Sequence, residues 1–175
     1  LASKMSAGKN DKINLIFRRI LVVSQFSLQF IVGVNLVFPL LLIYTYNLGF
    51  KKGLITMFVF VIVRFVLGMP FLVVFLWAWT FFILVAGSYL VNKISRGNEY
   101  VAATFTFLYF IMFGIFASIQ EYILTEVPFY AYWIRGLPSD LLGAIAGFVT
   151  TLLLLKPIST IITQFLQDFS LQSQN

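Results

Sequence analysis

Long apolar runs, separated by short stretches with Gly, Pro, Asn or charged residues, make up most of this chain. A bilayer core of about 30 Å is crossed by about 20 helical residues, and most of the runs approach that length. They predict six spans, Phe17–Val32, Leu36–Tyr46, Lys52–Leu67, Phe71–Val91, Tyr100–Leu124 and Leu141–Phe165. The second span is short for a bilayer, so we expect that it either starts inside the preceding loop or is partly shielded by protein.

Composition supports a membrane environment. Apolar residues make up 61% of the chain and charged residues 10%, against roughly 45–50% and 25% in soluble domains. The sequence therefore predicts an all-α integral membrane protein with one transmembrane domain of six helices over residues 13–168. We interpret residues 1–12 as a tag remnant and polar tail, and residues 169–175 as a C-terminal tail.

The basic residues fall almost entirely on one side of this six-span arrangement. They are Lys4, Lys9, Lys12, Arg18, Arg19, Lys51, Lys52, Lys93, Arg96 and Lys156. Only Arg64 and Arg135 lie elsewhere. Because Lys and Arg are retained on the cytoplasmic side, both termini are predicted to be cytoplasmic. The same bias explains the net charge of +6 without a nucleic-acid partner.

The chain contains no Cys and no His. This excludes Cys/His zinc sites, Ser/His triads and thiol nucleophiles, and we expect no metal site and no cofactor. A GxxxxGKS phosphate-binding motif is also absent, which argues against ATP hydrolysis by this chain. An enzyme would have to rely on Glu121 and Asp140 as a catalytic pair, so the protein is predicted not to be an enzyme.

Polar residues gather on the predicted outer side, where the stretch YWIRGLPSD joins the last two spans. Arg64 would mark a ligand or ion-pair site, or extend to the lipid headgroups. Arg135 and Asp140 fit a ligand site, or a solvated pair at a helix start. The nearby aromatic residues fit stacking, or an interfacial belt. The candidate ligand-binding residues are Gln29, Asn35, Arg64, Glu121, Tyr132, Trp133, Arg135 and Asp140.

Three segments resemble the substrate-binding S components of energy-coupling factor (ECF) vitamin transporters. They are NLGFKKGLI, MPFLVVFLWAWTFFILVAGSYLV and YWIRGLPSDLLGAIAGFVTTLLLLKPI. Many members have a loop with Gly, Leu or Ile, Pro and Asp, followed by a helix of small residues and a terminal Pro. The matching positions here are Gly136, Leu137, Pro138, Asp140, Gly147 and Pro157.

The resemblance implies a six-helix protein of the bacterial plasma membrane that captures a water-soluble vitamin at its outer face. It implies lid loops at Gly33–Asn35 and Glu126–Asp140, and partnership with a membrane T subunit and two ATPase subunits. The family's AxxxA docking patch is replaced here by Ser24 and Leu28, or by Ser27 and Ile31. Ser24, Ser27 and Leu28 are therefore the expected docking residues.

The sequence leaves the ligand open. Arg64 and Arg135 would suit a carboxylate, which slightly favours pantothenate among the family's vitamins. The acids Glu121, Glu126 and Asp140 would instead suit a pyrimidine or pyridine, such as hydroxymethylpyrimidine, thiamine or pyridoxine. A membrane scaffold subunit that binds no small molecule is a further alternative.

Overall fold

The computed structural model describes residues 36–95 and 97–172, with side chains described as far as Gln164. Every regular element in this part of the chain is a helix. The helices are α1 (Val37–Leu48), α2 (Phe50–Val66), α3 (Phe71–Ser95), α4 (Glu99–Thr125) and α5 (Phe129–Gln172). The predicted first span, Phe17–Val32, lies outside the described residues.

Three of the described helical segments are long and apolar enough to cross a membrane. They are Phe71–Ser95, Glu99–Thr125 and Phe129–Gln164. Large apolar side chains such as Phe58, Phe71 and Phe75 are exposed on the outer surface of the bundle, as expected where lipid replaces water. The structure thus confirms the all-helical class and supports a membrane protein. Six spans and cytoplasmic termini stay predictions.

Helices α4 and α5 run antiparallel along their length. Lys156 Nζ lies 2.7 Å from Glu99 Oε1 at one end of the pair. Thr106 and Thr151 are hydrogen-bonded in the middle at 3.0 Å, and Asp140 lies against Gly114 near the other end. The ion pair and the threonine hydrogen bond set the register between two otherwise apolar surfaces, and the Asp140–Gly114 contact fits that register.

Helix α1 occupies the centre of the described bundle. Of its 12 residues, the ten from Val37 to Tyr46 are buried, and α2, α3, α4 and α5 all contact it. Phe38 is the middle of an aromatic cluster, with ring centroids 4.8 to 6.2 Å from those of five neighbours: Trp77, Phe81, Tyr109, Phe110 and Phe113. The short second span predicted from the sequence is therefore shielded by protein, which was one of its two predicted explanations.

The end of α1 is held by polar side chains of α3. Asn92 Nδ2 donates a hydrogen bond of 2.7 Å to the carbonyl of Tyr46, and the Tyr46 hydroxyl contacts Ser95 Oγ at 3.1 Å. The last carbonyls of a helix have no partner within it, so an acceptor here needs a donor from elsewhere.

Replacing Asn92 with Leu should lower the free energy of unfolding by about 1–2 kcal/mol, because the change leaves the Tyr46 carbonyl without its donor in an apolar setting. Unfolding in mixed detergent micelles, followed by circular dichroism, measures the change. Asn47→Leu is the matched control, since Asn47 Nδ2 bonds to Ile43 within α1 itself. Equal losses for the two variants would contradict a specific role for the link between α1 and α3.

A single residue, Gly49, joins α1 to α2. Its φ of 86° lies in the left-handed region, where a residue with a Cβ is strained and glycine is not. The chain therefore reverses direction at once, and Gly53 of α2 packs directly on Thr45 of α1. This tight turn accounts for the short connection between the second and third predicted spans.

The predicted lid loop Glu126–Asp140 is wrong in its larger part. The connection between α4 and α5 covers only Glu126 to Pro128, and α5 begins at Phe129, so YWIRGLPSD is helical. The sequence interpretation treated Gly136 and Pro138 as helix breakers. Within a membrane helix, however, Pro removes one backbone hydrogen bond, and neighbouring helices and hydroxyl groups can offset the loss.

Helix α5 is far longer than a bilayer requires. Its 44 residues span about 66 Å at 1.5 Å per residue, roughly twice the hydrocarbon thickness. Since Lys156 lies level with the first turn of α4, the remaining residues to Gln172 extend beyond that end of α4. The first part of α5, Phe129–Asp140, which was predicted to be a loop, is thus a helical wall facing α4.

Candidate solute-binding site

A cavity of about 510 Å³ with both polar and apolar lining lies between the C-terminal half of α4 and the N-terminal half of α5. Its size falls within the usual range for pockets that hold small molecules, about 300–1,000 Å³. Residues of α4 and α5 line it: Phe113, Gly114, Ala117 and Ser118, with Tyr132, Arg135, Gly136, Ser139 and Asp140. In the topology predicted from the basic residues, this is the outer half of the bundle.

The α5 side of the cavity follows from helical periodicity. Tyr132, Arg135, Gly136, Ser139 and Asp140 are spaced by three or four residues and so share one broad face of the helix. The same stretch read as a loop would not place them together. Helix formation from Phe129 onwards is therefore what assembles this wall.

The Asp140 carboxylate occupies space that Gly114 leaves empty. A Cβ atom on Gly114 would overlap the Asp140 carboxylate, so only glycine permits this approach of α5 to α4. The side chain is partly buried, and no ion pair or hydrogen bond joins it to any residue that the structure describes. A charged group in this position retains its capacity to bind a further partner.

Two hydroxyl groups beside Asp140 have their protons committed to their own helices. Ser118 Oγ donates to the carbonyl of Gly114 at 2.7 Å, and Ser139 Oγ donates to that of Gly136 at 2.7 Å. Because a hydroxyl carries one proton and two lone pairs, each oxygen is left as an acceptor. The inner wall of the cavity is therefore rich in acceptors.

The rim of the cavity carries hydrogen-bond donors. Tyr132 and Arg135 are both exposed and line the same cavity as Asp140. No ion pair links Arg135 to Asp140 in the described part of the chain. Three of the residues predicted from the sequence, Tyr132, Arg135 and Asp140, thus meet at one site, although on a helix rather than in a loop.

Arg64 is held apart from this cavity by aromatic rings. Its guanidinium carbon lies 5.2 Å from the ring centroid of Trp77 and 6.0 Å from that of Phe60, a cation–π arrangement. Its Nε is buried and has no hydrogen-bond partner among the described residues. Trp77 in turn packs edge-on against Phe113, which lines the cavity, with ring centroids 6.2 Å apart, so among the described residues Arg64 contacts the cavity wall only through Trp77.

Two further predicted residues have local partners. Trp133 stacks on Phe129 with ring centroids 6.1 Å apart, and its buried Nε1 has no partner within the described ranges. Glu121 accepts a hydrogen bond from Thr125 Oγ1 at 3.4 Å, on the last turns of α4. Neither residue lines the cavity. Gln29, Asn35, Ser24, Ser27 and Leu28 fall outside the described residues.

The sequence interpretation missed the α4 side of the site. Gly114, Ala117 and Ser118 are small residues spaced for one helix face, and this pattern was available in the sequence as a sign of close helix approach. What it could not give is the partner helix and its register. No group of three or more Asp and Glu residues suited to a metal ion occurs in the described ranges.

Comparisons with known proteins returned no match: no protein-family model fits the chain, and no curated protein or solved structure is significantly similar to it.

Proposed function

We propose that this chain is the substrate-binding component of an ECF-type importer, which captures a water-soluble vitamin at the outer face of the bacterial plasma membrane. The vitamin is released inside with energy from separate ATPase subunits, through a membrane T subunit. The observation that carries the proposal is the cavity between α4 and α5, lined by Tyr132, Arg135 and Asp140.

The chemistry of the cavity supports solute binding over a purely structural role. A charged residue within a membrane protein is costly and usually marks a functional site. Asp140 and Arg135 line the same cavity and form no ion pair with each other in the described structure. Their charges therefore do not hold α4 and α5 together. Another cavity between α4 and α5 has mostly apolar lining, including Phe107, Ile145 and Phe148, and suits lipid tails instead.

Ligand stabilisation tests this proposal directly. Purified protein titrated with a panel of water-soluble vitamins should show a rise in unfolding temperature with at least one of them. A ligand at 100 times its Kd stabilises the folded state by about 2.7 kcal/mol. Native mass spectrometry should show the same vitamin bound in a one-to-one complex. A bare protein with no shift across the panel would instead favour a scaffold subunit.

A further inference from the structure

The groups inside the cavity select for a ligand that donates hydrogen bonds. The Asp140 carboxylate has only acceptor sites when ionised, and the Ser118 and Ser139 hydroxyls already donate to backbone carbonyls. The inner wall therefore offers two partly exposed acceptor groups, Ser139 and Asp140 of α5, with the buried Ser118 hydroxyl of α4 behind them. A carboxylate ligand placed against this wall would meet like charge and lone pairs.

Burial decides which of the two charges in the cavity controls ligand choice. Arg135 is exposed, whereas Asp140 is partly buried against Gly114. An exposed guanidinium is solvated without a partner, but a partly buried carboxylate gains more from a counter-charge, because water and headgroups reach it less well. Arg64 does not offset this preference, since it lies on Trp77 and outside the cavity lining.

We infer that the cavity recognises solutes with a protonated or amidine-type nitrogen, and that Asp140 accepts a charge-assisted hydrogen bond from that nitrogen. Tyr132 lies at the mouth, where its ring can cover a flat heterocycle. This inference rests on the proposed function and narrows its ligand to one of the two chemical classes that the sequence left open. Pantothenate, which the two arginines slightly favoured, belongs to the other class.

Binding measurements with two sets of probes test the inference. Thiamine and pyridoxamine carry cationic nitrogen, whereas pantothenate and biotin carry a carboxylate. Each is titrated by isothermal calorimetry into the wild-type protein and into Asp140→Asn, which keeps the shape of the side chain and removes its charge. We expect a nitrogen probe to bind, and the substitution to weaken it by about 10- to 100-fold.

Two further variants show whether a loss of affinity is specific to the position of the Asp140 carboxylate or follows from any loss of negative charge. Glu126→Gln neutralises an exposed carboxylate in the connection between α4 and α5, outside the cavity lining, and should leave the affinity unchanged. Gly114→Ala keeps the charge of Asp140 but places a methyl group where the carboxylate lies, and should weaken the same probe. Circular dichroism of each variant establishes that the helices are retained.

The outcomes distinguish this inference from the proposed function. If a nitrogen probe binds and Asp140→Asn keeps its affinity within about threefold of wild type, the role of Asp140 is overturned while solute binding stands. If only pantothenate or biotin binds, the ligand class is wrong and the transporter proposal survives. If no probe of either set binds, both the proposed function and this inference fall.

Discussion

Replacing Phe38 with Ala should lower the free energy of unfolding by about 3 kcal/mol. Phe38 is 1% exposed and contacts five aromatic rings on α3 and α4. Inside a bilayer the loss comes mainly from dispersion contacts and from the cavity left behind, because lipid tails are as apolar as the side chain. We therefore expect a value at the lower end of the range for Phe→Ala substitutions in cores.

A matched substitution at an exposed phenylalanine shows how much of the loss comes from packing in the core. Phe58 of α2 is 54% exposed, so Phe58→Ala removes the same atoms from a surface that faces outward. Both variants are unfolded by SDS titration in mixed micelles, with tryptophan fluorescence as the signal. Phe58→Ala should cost less than about 1 kcal/mol. Similar losses for the two would show that the cluster around Phe38 is not the centre of the core.

Replacing Gly147 with Ala should destabilise the protein by about 1–3 kcal/mol, the usual cost of overpacking a core. A Cβ at this position would lie 2.5 Å from Cε2 of Phe110 and 3.0 Å from Cγ2 of Thr106. Phe110 is itself buried against Phe38 at 4.8 Å, so its ring has little room to move. Helices α4 and α5 would be forced apart beside the Thr106–Thr151 hydrogen bond.

Gly136→Ala, on the same helix, should instead raise the free energy of unfolding. There a Cβ would meet only the Asp140 carboxylate, at 3.6 Å, which is ordinary contact. Gly136→Ala should then stabilise the helix by up to about 1 kcal/mol, because alanine loses less backbone entropy. The two variants are compared in the same detergent titration. Equal effects would mean that helix propensity, and not the fit between α4 and α5, sets the stability.

Each of the five described helices contains all or nearly all of one of the predicted apolar runs, because a long apolar run is a strong signal for a buried or membrane-spanning helix. The predicted start of the fourth span coincides with the start of α3 at Phe71. The predicted end of the fifth span, Leu124, is one residue from the end of α4. Apolar length predicts these boundaries of α3 and α4 because both helices have the length and composition of membrane spans.

The start of α5 could not be predicted in the same way. Gly136 and Pro138 favour a turn in water. The helical conformation is favoured instead by packing of Tyr132, Ser139 and Asp140 against α4, and that packing depends on tertiary contacts. Residue types alone did indicate Arg135 and Asp140 as candidates, because charge is rare in this chain. Asp140 fits against α4 only because Gly114 lies opposite it. A single sequence does not show which residues of two helices lie opposite each other, so this contact could not be predicted.

The central position of α1 has a consequence for how this protein is made. At 12 residues, about 18 Å, α1 is too short to be held across a bilayer by its own apolar length. It is packed against α2, α3, α4 and α5, which are all synthesised after it. We therefore expect α1 to reach its final place only once the later helices have entered the membrane. The last step of biogenesis would then close the bundle around one of its earlier segments, and slow synthesis of α5 would prolong the interval in which α1 is exposed to quality-control proteases.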